Sequence, residues 1–251
     1  MTDNSIPWLI EAIRLTSFPG QPISPNGQSW WSDVIGSAPD RKLIQPKSGE
    51  LIEEGQFASG RLILRLTQPK IDWTLVPLPD KQSEEMPPTI GNYPEMWQSF
   101  LPVTKAWVNL PNLPPIKRIA FGSVLLKPVE TPKDGYTILS GLLHSIKLDP
   151  DAMVDFFYQI NRPRVSASGV PDLAINRLSK WGVVGFQDSL ISIGPEGIIQ
   201  KLGPERYIVR IELDINTSQK YQKDLEQKVL PSIIDELLSM AHELVDRGDV
   251  Q

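Results

Sequence analysis

The amino-acid sequence predicts an α+β fold made of two antiparallel-sheet halves, and three observations carry the prediction. Several segments alternate apolar and polar residues, the period of two that gives a strand one buried and one open face. Short turns join these segments, without the regular strand–helix–strand alternation of a doubly wound sheet. The closing segment instead repeats apolar residues at helical spacing. Each half runs strand, helix, meander, helix. The halves are expected at residues 1–110 and 111–251. Their matching order makes a structural duplication an expectation, although no residue-level repeat accompanies it.

The first half opens with "IPWLIEAIRLTSF", read as a strand, and "SWWSDVIG", read as a short helix with Ser29 as its N-cap. Adjacent helix positions point in different directions, so one of Trp30 and Trp31 is expected to be exposed and open to a partner. A meander follows in "GELIEEGQFA", "RLILRLTQ" and "KIDWTLVPL". There Leu62, Leu64 and Leu66 alternate with Arg61 and Arg65, and Ile71, Trp73 and Leu75 alternate with Asp72 and Thr74. "YPEMWQSFLPVTKAWVNL" is expected to be helical with an interruption near Pro102.

The second half offers the strand "IKRIAFGSVLLKPV", the helix "GYTILSGLLHSI" and a helix start bracketed by Asp149 and Asp151. The strands "VDFFYQINRP", "LAINRLSKWGVVGFQ" and "RYIVRIELDINT" follow, with a hairpin "SLISI-GPEG-IIQKL" between the last two. In the final helix Leu230, Ile233, Ile234, Leu237, Leu238, Ala241, Leu244 and Val245 share one face. Pro231 suits the helix start and Gly248 its left-handed end. The tripeptide "RGD" at Arg247 to Asp249 is therefore read as a helix stop, not as an adhesion motif. The 24 prolines cluster between these elements, and Pro79 to Gly91 is the best linker candidate.

Composition removes several chemistries. The chain has 251 residues, 40% apolar and 22% charged, with a net charge of -5 and no cysteine. Without cysteine there are no disulfides, thiolate nucleophiles or iron–sulfur clusters, and the composition suits a reducing cytoplasm. The N-terminal segment carries an acidic residue where a signal peptide would be basic, and no segment reaches a spanning length. Neither export nor a membrane is expected. The mild acidity opposes nucleic-acid binding through bulk charge. Only His144 and His242 could supply imidazoles, and both are read as ordinary surface or helix-end residues. No phosphate loop, dinucleotide fingerprint, nucleophile elbow or zinc helix is present, and no cofactor is expected.

Two polar groupings remain. Gln159 and Asn161 alternate with apolar residues on one strand, and Arg210, Glu212 and Asp214 do so on another. All five are expected on one sheet face, a candidate binding surface. Its Glu212 and Asp214 offer a divalent metal two carboxylates, which would allow a hydrolase, although the wet face of a half-exposed sheet looks the same. The second grouping is Arg162, Arg164, Arg177 and Lys180 near Trp181, a candidate nucleic-acid contact in which arginines would hold phosphates and an aromatic would stack.

The stretches "PWLIEAIRLTSF", "INRLSKWGVV", "RIELDINT" and "LLSMAHELVDRGDV" resemble a sporadically distributed family of uncharacterised bacterial proteins of about this length. The matching residues are Pro7, Glu11 and Ala12 in the first strand, and Leu213, Asp214 and Ile215 in the late one. The resemblance implies no catalytic residues. Patchy distribution is similar to that of accessory genes on defence islands. The chain is thus expected to be a non-enzymatic accessory protein of the bacterial cytoplasm with a protein partner, in a defence or toxin–antitoxin setting. A nucleic-acid-binding module and a metal-dependent hydrolase are the alternatives.

Overall fold

A computed structural model describes residues 7–25, 27–45, 47–79, 86–194 and 197–250, and of these only the backbone at 188–194 and 197–201. The strands are β1 (Leu9–Pro19), β2 (Arg41–Gln45), β3 (Glu50–Phe57), β4 (Gly60–Thr67), β5 (Lys70–Pro77), β6 (Gly91–Asn92) and β7 (Ile116–Val129). They continue with β8 (Phe157–Asn161), β9 (Arg164–Val165), β10 (Ala174–Gly194) and β11 (Gly197–Thr217). The helices are α1 (Trp30–Ile35), α2 (Glu95–Val108), α3 (Pro132–Leu142) and α4 (Leu230–Arg247), the last entered through a 3-10 turn at Gln227–Val229.

One antiparallel sheet takes in all the strands, in the order β2-β3-β4-β5-β1-β7-β11-β10-β8, with β6 on β1 and β9 on β10. The fold is α+β and mostly sheet. β1 and β7 lie side by side at its centre and pair from Leu9↔Leu126 to Pro19↔Ile116. From β1 the chain goes to the outer strand β2 and returns inward through β3, β4 and β5. From β7 it goes to the outer strand β8 and returns through β10 and β11. The sheet is therefore continuous across residue 110, and the two segments meet along the β1–β7 pair.

The alternation that marks the strands also sorts their faces. Leu62, Leu64, Leu66, Ile71, Trp73 and Leu75 are fully buried on one side, with Val209, Ile211 and Ile215 from β11. The helices cover this face in one apolar core. Trp31 stacks on Trp73 at 6.1 Å, and the Trp97 indole of α2 donates to Ser123 Oγ of β7 at 3.2 Å. On α4 the apolar stripe from Leu230 to Val245 is buried against the sheet. Burying an aliphatic side chain contributes about 1.5–3 kcal/mol, so this stripe dominates the helix's attachment.

Several local expectations change. Trp30 and Trp31 are both buried, at 1% and 2% exposure, because α1 is wedged between the sheet and α2, where Trp30 meets Trp107 edge-on. α2 runs through Pro102 without interruption. The carbonyl that loses its partner is that of Gln98, an exposed residue whose backbone water can reach. Ser29 precedes α1 but its hydroxyl donates to the Asp33 carboxylate instead of capping the backbone. Asp149 and Asp151 stand in a turn, not at a helix start: the Asp151 amide donates to Asp149 Oδ1 at 3.2 Å. The true capping box is at α3, where Thr131 and Asp134 satisfy each other's backbone amides. The segment from Pro79 to Gly91 falls partly outside the described residues.

Candidate functional site

The face of the sheet opposite the helices carries the polar partners of every alternating strand. Antiparallel register lines them up in rows, because residues directly opposite share a face. Gln159, Lys180 and Glu212 form one row across β8, β10 and β11, which continues to Val124 of β7 and Ala12 of β1. The next row runs Asn161, Leu178, Asp214, Gly122, Arg14 and Thr74. Arg210 lies one row further out, opposite Gly182 and Leu126. The five residues Gln159, Asn161, Arg210, Glu212 and Asp214 thus share the open face.

Two bonded chains organise them. Arg210 Nε donates to Glu212 Oε1 at 3.1 Å, Lys180 Nζ donates to Glu212 Oε2 at 3.1 Å, and the other end of Arg210 reaches the Glu11 carboxylate. Burial would raise the Glu212 carboxyl, but the hydrogen bonds from Arg210 and Lys180 outweigh it and hold the group below its ordinary value. The second chain is made of amides. Asn161 Nδ2 donates to Asn176, Asn176 Nδ2 to Asn216, and Asn216 Nδ2 to Asp214 Oδ1 at 3.0 Å. Glu212 is therefore a neutralised structural carboxylate, while Asp214 receives a hydrogen bond from a neutral amide and acts on the Arg118 guanidinium through its charge.

Between these chains lies a shallow cleft of about 240 Å³. Ala12, Val124 and Leu178 give it apolar walls, and Arg14, Gly122 and Asp214 cross its floor. Among the described residues Arg14 makes no hydrogen bond or ion pair. No group of three histidine, aspartate or glutamate side chains converges to hold a metal ion among the described residues.

The arginines of the second grouping lie elsewhere. Arg177 points into the helix-covered side, 1% exposed, with its Nη2 on Glu243 Oε2 at 3.0 Å and its Nη1 on the Val250 carbonyl at 3.3 Å. Arg164 binds both Glu243 oxygens, and Arg162 clasps the Asp249 carboxylate. Lys180 is on the opposite face. The four cations form no common patch, and three of them hold the end of α4 to the sheet edge. Trp181 is buried at 1% exposure, with its indole N–H on Ser179 Oγ at 2.8 Å.

His242 is not a solvated helix-end residue. Its Nδ1 lies 2.6 Å from the Tyr93 hydroxyl, and its ring packs 4.7 Å from that of Trp97. Burial lowers its pKa below the ordinary 6.5, against the opposing charge of Asp246. Burial raises that of the Tyr93 hydroxyl, with a further push from Asp246.

Arg14 and Gly122 are the floor residues that sequence reasoning did not single out. Arg14 alternates with the buried Ile13 and Leu15, so its open-face position was visible; its neighbour across the sheet was not. No helix of the described chain is long and apolar enough to cross a membrane. No protein-family model matches the chain, and no curated protein matches it.

Proposed function

We propose that the protein works by contact with a protein partner, not by catalysis, and that the β10–β11 ribbon makes the contact. The observation that carries this reading is the ribbon's length. β10 leaves β8 after Gly182, and β11 joins β7 only from Tyr207 onward. Among the described residues the two strands elsewhere pair only with each other, over eight register positions from Phe186↔Arg206 to Gly194↔Gly197. At about 3.3 Å per residue this is a projection of about 30 Å. A two-stranded hairpin alone is marginally stable in water, and both of its edges can accept another strand. Its sequence is nonetheless apolar, with Leu190, Ile191, Ile193, Ile198, Ile199 and Leu202. Such a ribbon fits a partner that offers a free strand edge and widens it into a sheet.

The resemblance to sporadically distributed bacterial proteins supports an accessory role, in a defence or toxin–antitoxin setting. The cysteine-free composition supports a cytoplasmic home. The repeated order of elements about the β1–β7 pair supports a duplication of one strand–helix–meander–helix unit.

The test replaces residues 189–202 with an Asn-Gly turn, which suits a two-residue hairpin. The shortened chain should keep the melting temperature of the intact one, and a partner captured by the intact chain from its host should no longer be recovered. Equal recovery by both chains, or recovery of the bare monomer alone under mild conditions, would overturn the reading.

A further inference from the structure

We infer that the cleft at the centre of the open face is a binding site for a free aliphatic α-amino acid. The inference is independent of the ribbon and of any protein partner. Its first support is charge. Arg14 and Asp214 face each other across one intervening strand, on either side of Gly122. The Arg14 guanidinium leans over that glycine, with Nη2 3.7 Å from where a Cβ would stand. The two groups form no ion pair with each other. The cleft therefore presents a guanidinium, suited to a carboxylate in a two-pronged hydrogen bond, and a carboxylate, suited to an ammonium. The flanking Lys180, Arg210, Glu212 and Glu11 form a neutral chain of ion pairs, and Arg118 acts on Asp214 from outside the cleft lining, so Arg14 and Asp214 are the two charges the cleft itself offers to a ligand with one charge of each sign.

The second support is the glycine itself. Glycine in a strand interior costs stability relative to alanine and often marks a place where a ligand approaches the backbone. Nothing in the fold demands glycine at 122. A Cβ there would meet the Leu213 carbonyl at 3.5 Å and the Arg14 side chain at 3.7 Å, which is ordinary contact. What the missing side chain provides is room for the Arg14 guanidinium to lie across the floor of the cleft.

The walls set the ligand's third feature. Ala12, Val124 and Leu178 are apolar, and about 240 Å³ is smaller than a drug-sized pocket. A compact aliphatic side chain fits these walls while the charged end meets Arg14 and Asp214.

Titration calorimetry of the intact protein with L-leucine and L-valine tests the site. Saturable binding at micromolar to millimolar concentration is expected. Two half-ligands separate the charges: 4-methylpentanoate lacks the ammonium, and 3-methylbutylamine lacks the carboxylate. Each should bind at least about tenfold more weakly, as should leucine to Arg14→Gln or Asp214→Asn. Gly122→Ala, whose Cβ would meet the Arg14 guanidinium at 3.7 Å, should weaken leucine binding while keeping or raising the melting temperature. No saturable binding of either amino acid to the intact protein overturns the inference. Half-ligands that match leucine, or Arg14→Gln that binds it unchanged, overturn it equally. Arg14 is exposed, so its substitution leaves the fold intact and that arm readable.

Discussion

Arg162 and Asp249, from the sheet edge and the end of the chain, are clasped together: Arg162 Nη2 donates to Asp249 Oδ2 at 2.9 Å, and the Asp249 side chain has no solvent exposure. The hydroxyls of Ser145 and Tyr158 donate to the same carboxylate. Hydrogen bonding from Arg162 holds the Asp249 carboxyl below its ordinary 3.8, and burial opposes this without reversing it. A carboxylate whose folded pKa is depressed binds fewer protons when folded. Its contribution is complete above about 3.8 and is lost as pH falls through the lower folded value. Asp249→Asn should cost about 2 kcal/mol at neutral pH, the scale of hydrogen bonds to a charged group. It should also flatten the acid side of the stability curve. Melting temperatures from pH 7 down to acid, compared for the two proteins, check this; parallel curves would contradict it.

Gly248 and Gly141 should respond oppositely to alanine. Gly248 ends α4 at φ 75°, where side chains are disfavoured, and a Cβ would lie 1.8 Å from the Leu142 carbonyl oxygen. Leu142 also accepts the Asp249 amide at 2.8 Å, so the backbone cannot move aside without losing the clasp. Gly248→Ala should cost about 3 kcal/mol from backbone strain and crowding together. Gly141, inside α3, has nothing within 4 Å of a Cβ, and Gly141→Ala should stabilise by about 0.5–1 kcal/mol. Urea denaturation of both variants decides the matter.

What the sequence conveys and what it withholds divides along contact distance. The alternation of Leu62, Leu64 and Leu66 with Arg61 and Arg65 is local, and the strand and its faces follow from it. The buried stripe of α4 and its stop at Gly248 are equally local. Arg162, Arg164 and Arg177 looked like a basic cluster because their acidic partners Glu243 and Asp249 lie 66 to 87 residues away. The row Arg14–Gly122–Asp214 depends on β1, β7 and β11 being neighbours, which no single-strand pattern encodes. β10 and β11 read as several short strands because Pro204 and two glycines interrupt the pattern. Pro204 is tolerated because it falls in the free ribbon, at the register shift between Gln187 and Ser189, where its missing amide breaks no ladder.

Arg177 should be irreplaceable by lysine. Its guanidinium spans from the Glu243 carboxylate to the Val250 carbonyl, two acceptors that a fork of donors can reach together and a single ammonium cannot. Burial lowers its pKa from the ordinary arginine value. Arg177→Ala would leave a cavity and strip one of the two arginines from Glu243, at a cost of about 3 kcal/mol. Arg177→Lys should recover less than half of the loss. Limited proteolysis should show the C-terminal residues cleaved first in both variants, and a variant with unchanged stability and protection would refute the assignment.

His242 should make the fold sensitive to mild acid. Its ring is enclosed by Tyr93 and Trp97, and among the described residues Asp246 is the charge that acts on it. Burial depresses the folded pKa below the ordinary 6.5, so the unfolded chain binds the proton more readily. Stability from this residue is complete above about 6.5 and falls as pH drops from there toward the folded value. The Tyr93 hydroxyl bonds both His242 Nδ1 and Asp246 Oδ1 and so links the ring to the carboxylate. In Tyr93→Phe the neutral ring loses that partner, and the imidazolium comes to depend on Asp246 alone. The histidine resonances followed by NMR should titrate below 6.5 for His242, and His242→Gln should remove the fall in melting temperature between pH 7 and 5. A His242 midpoint above 6.5 would show that Asp246 outweighs burial and would reverse the sign of the pH dependence.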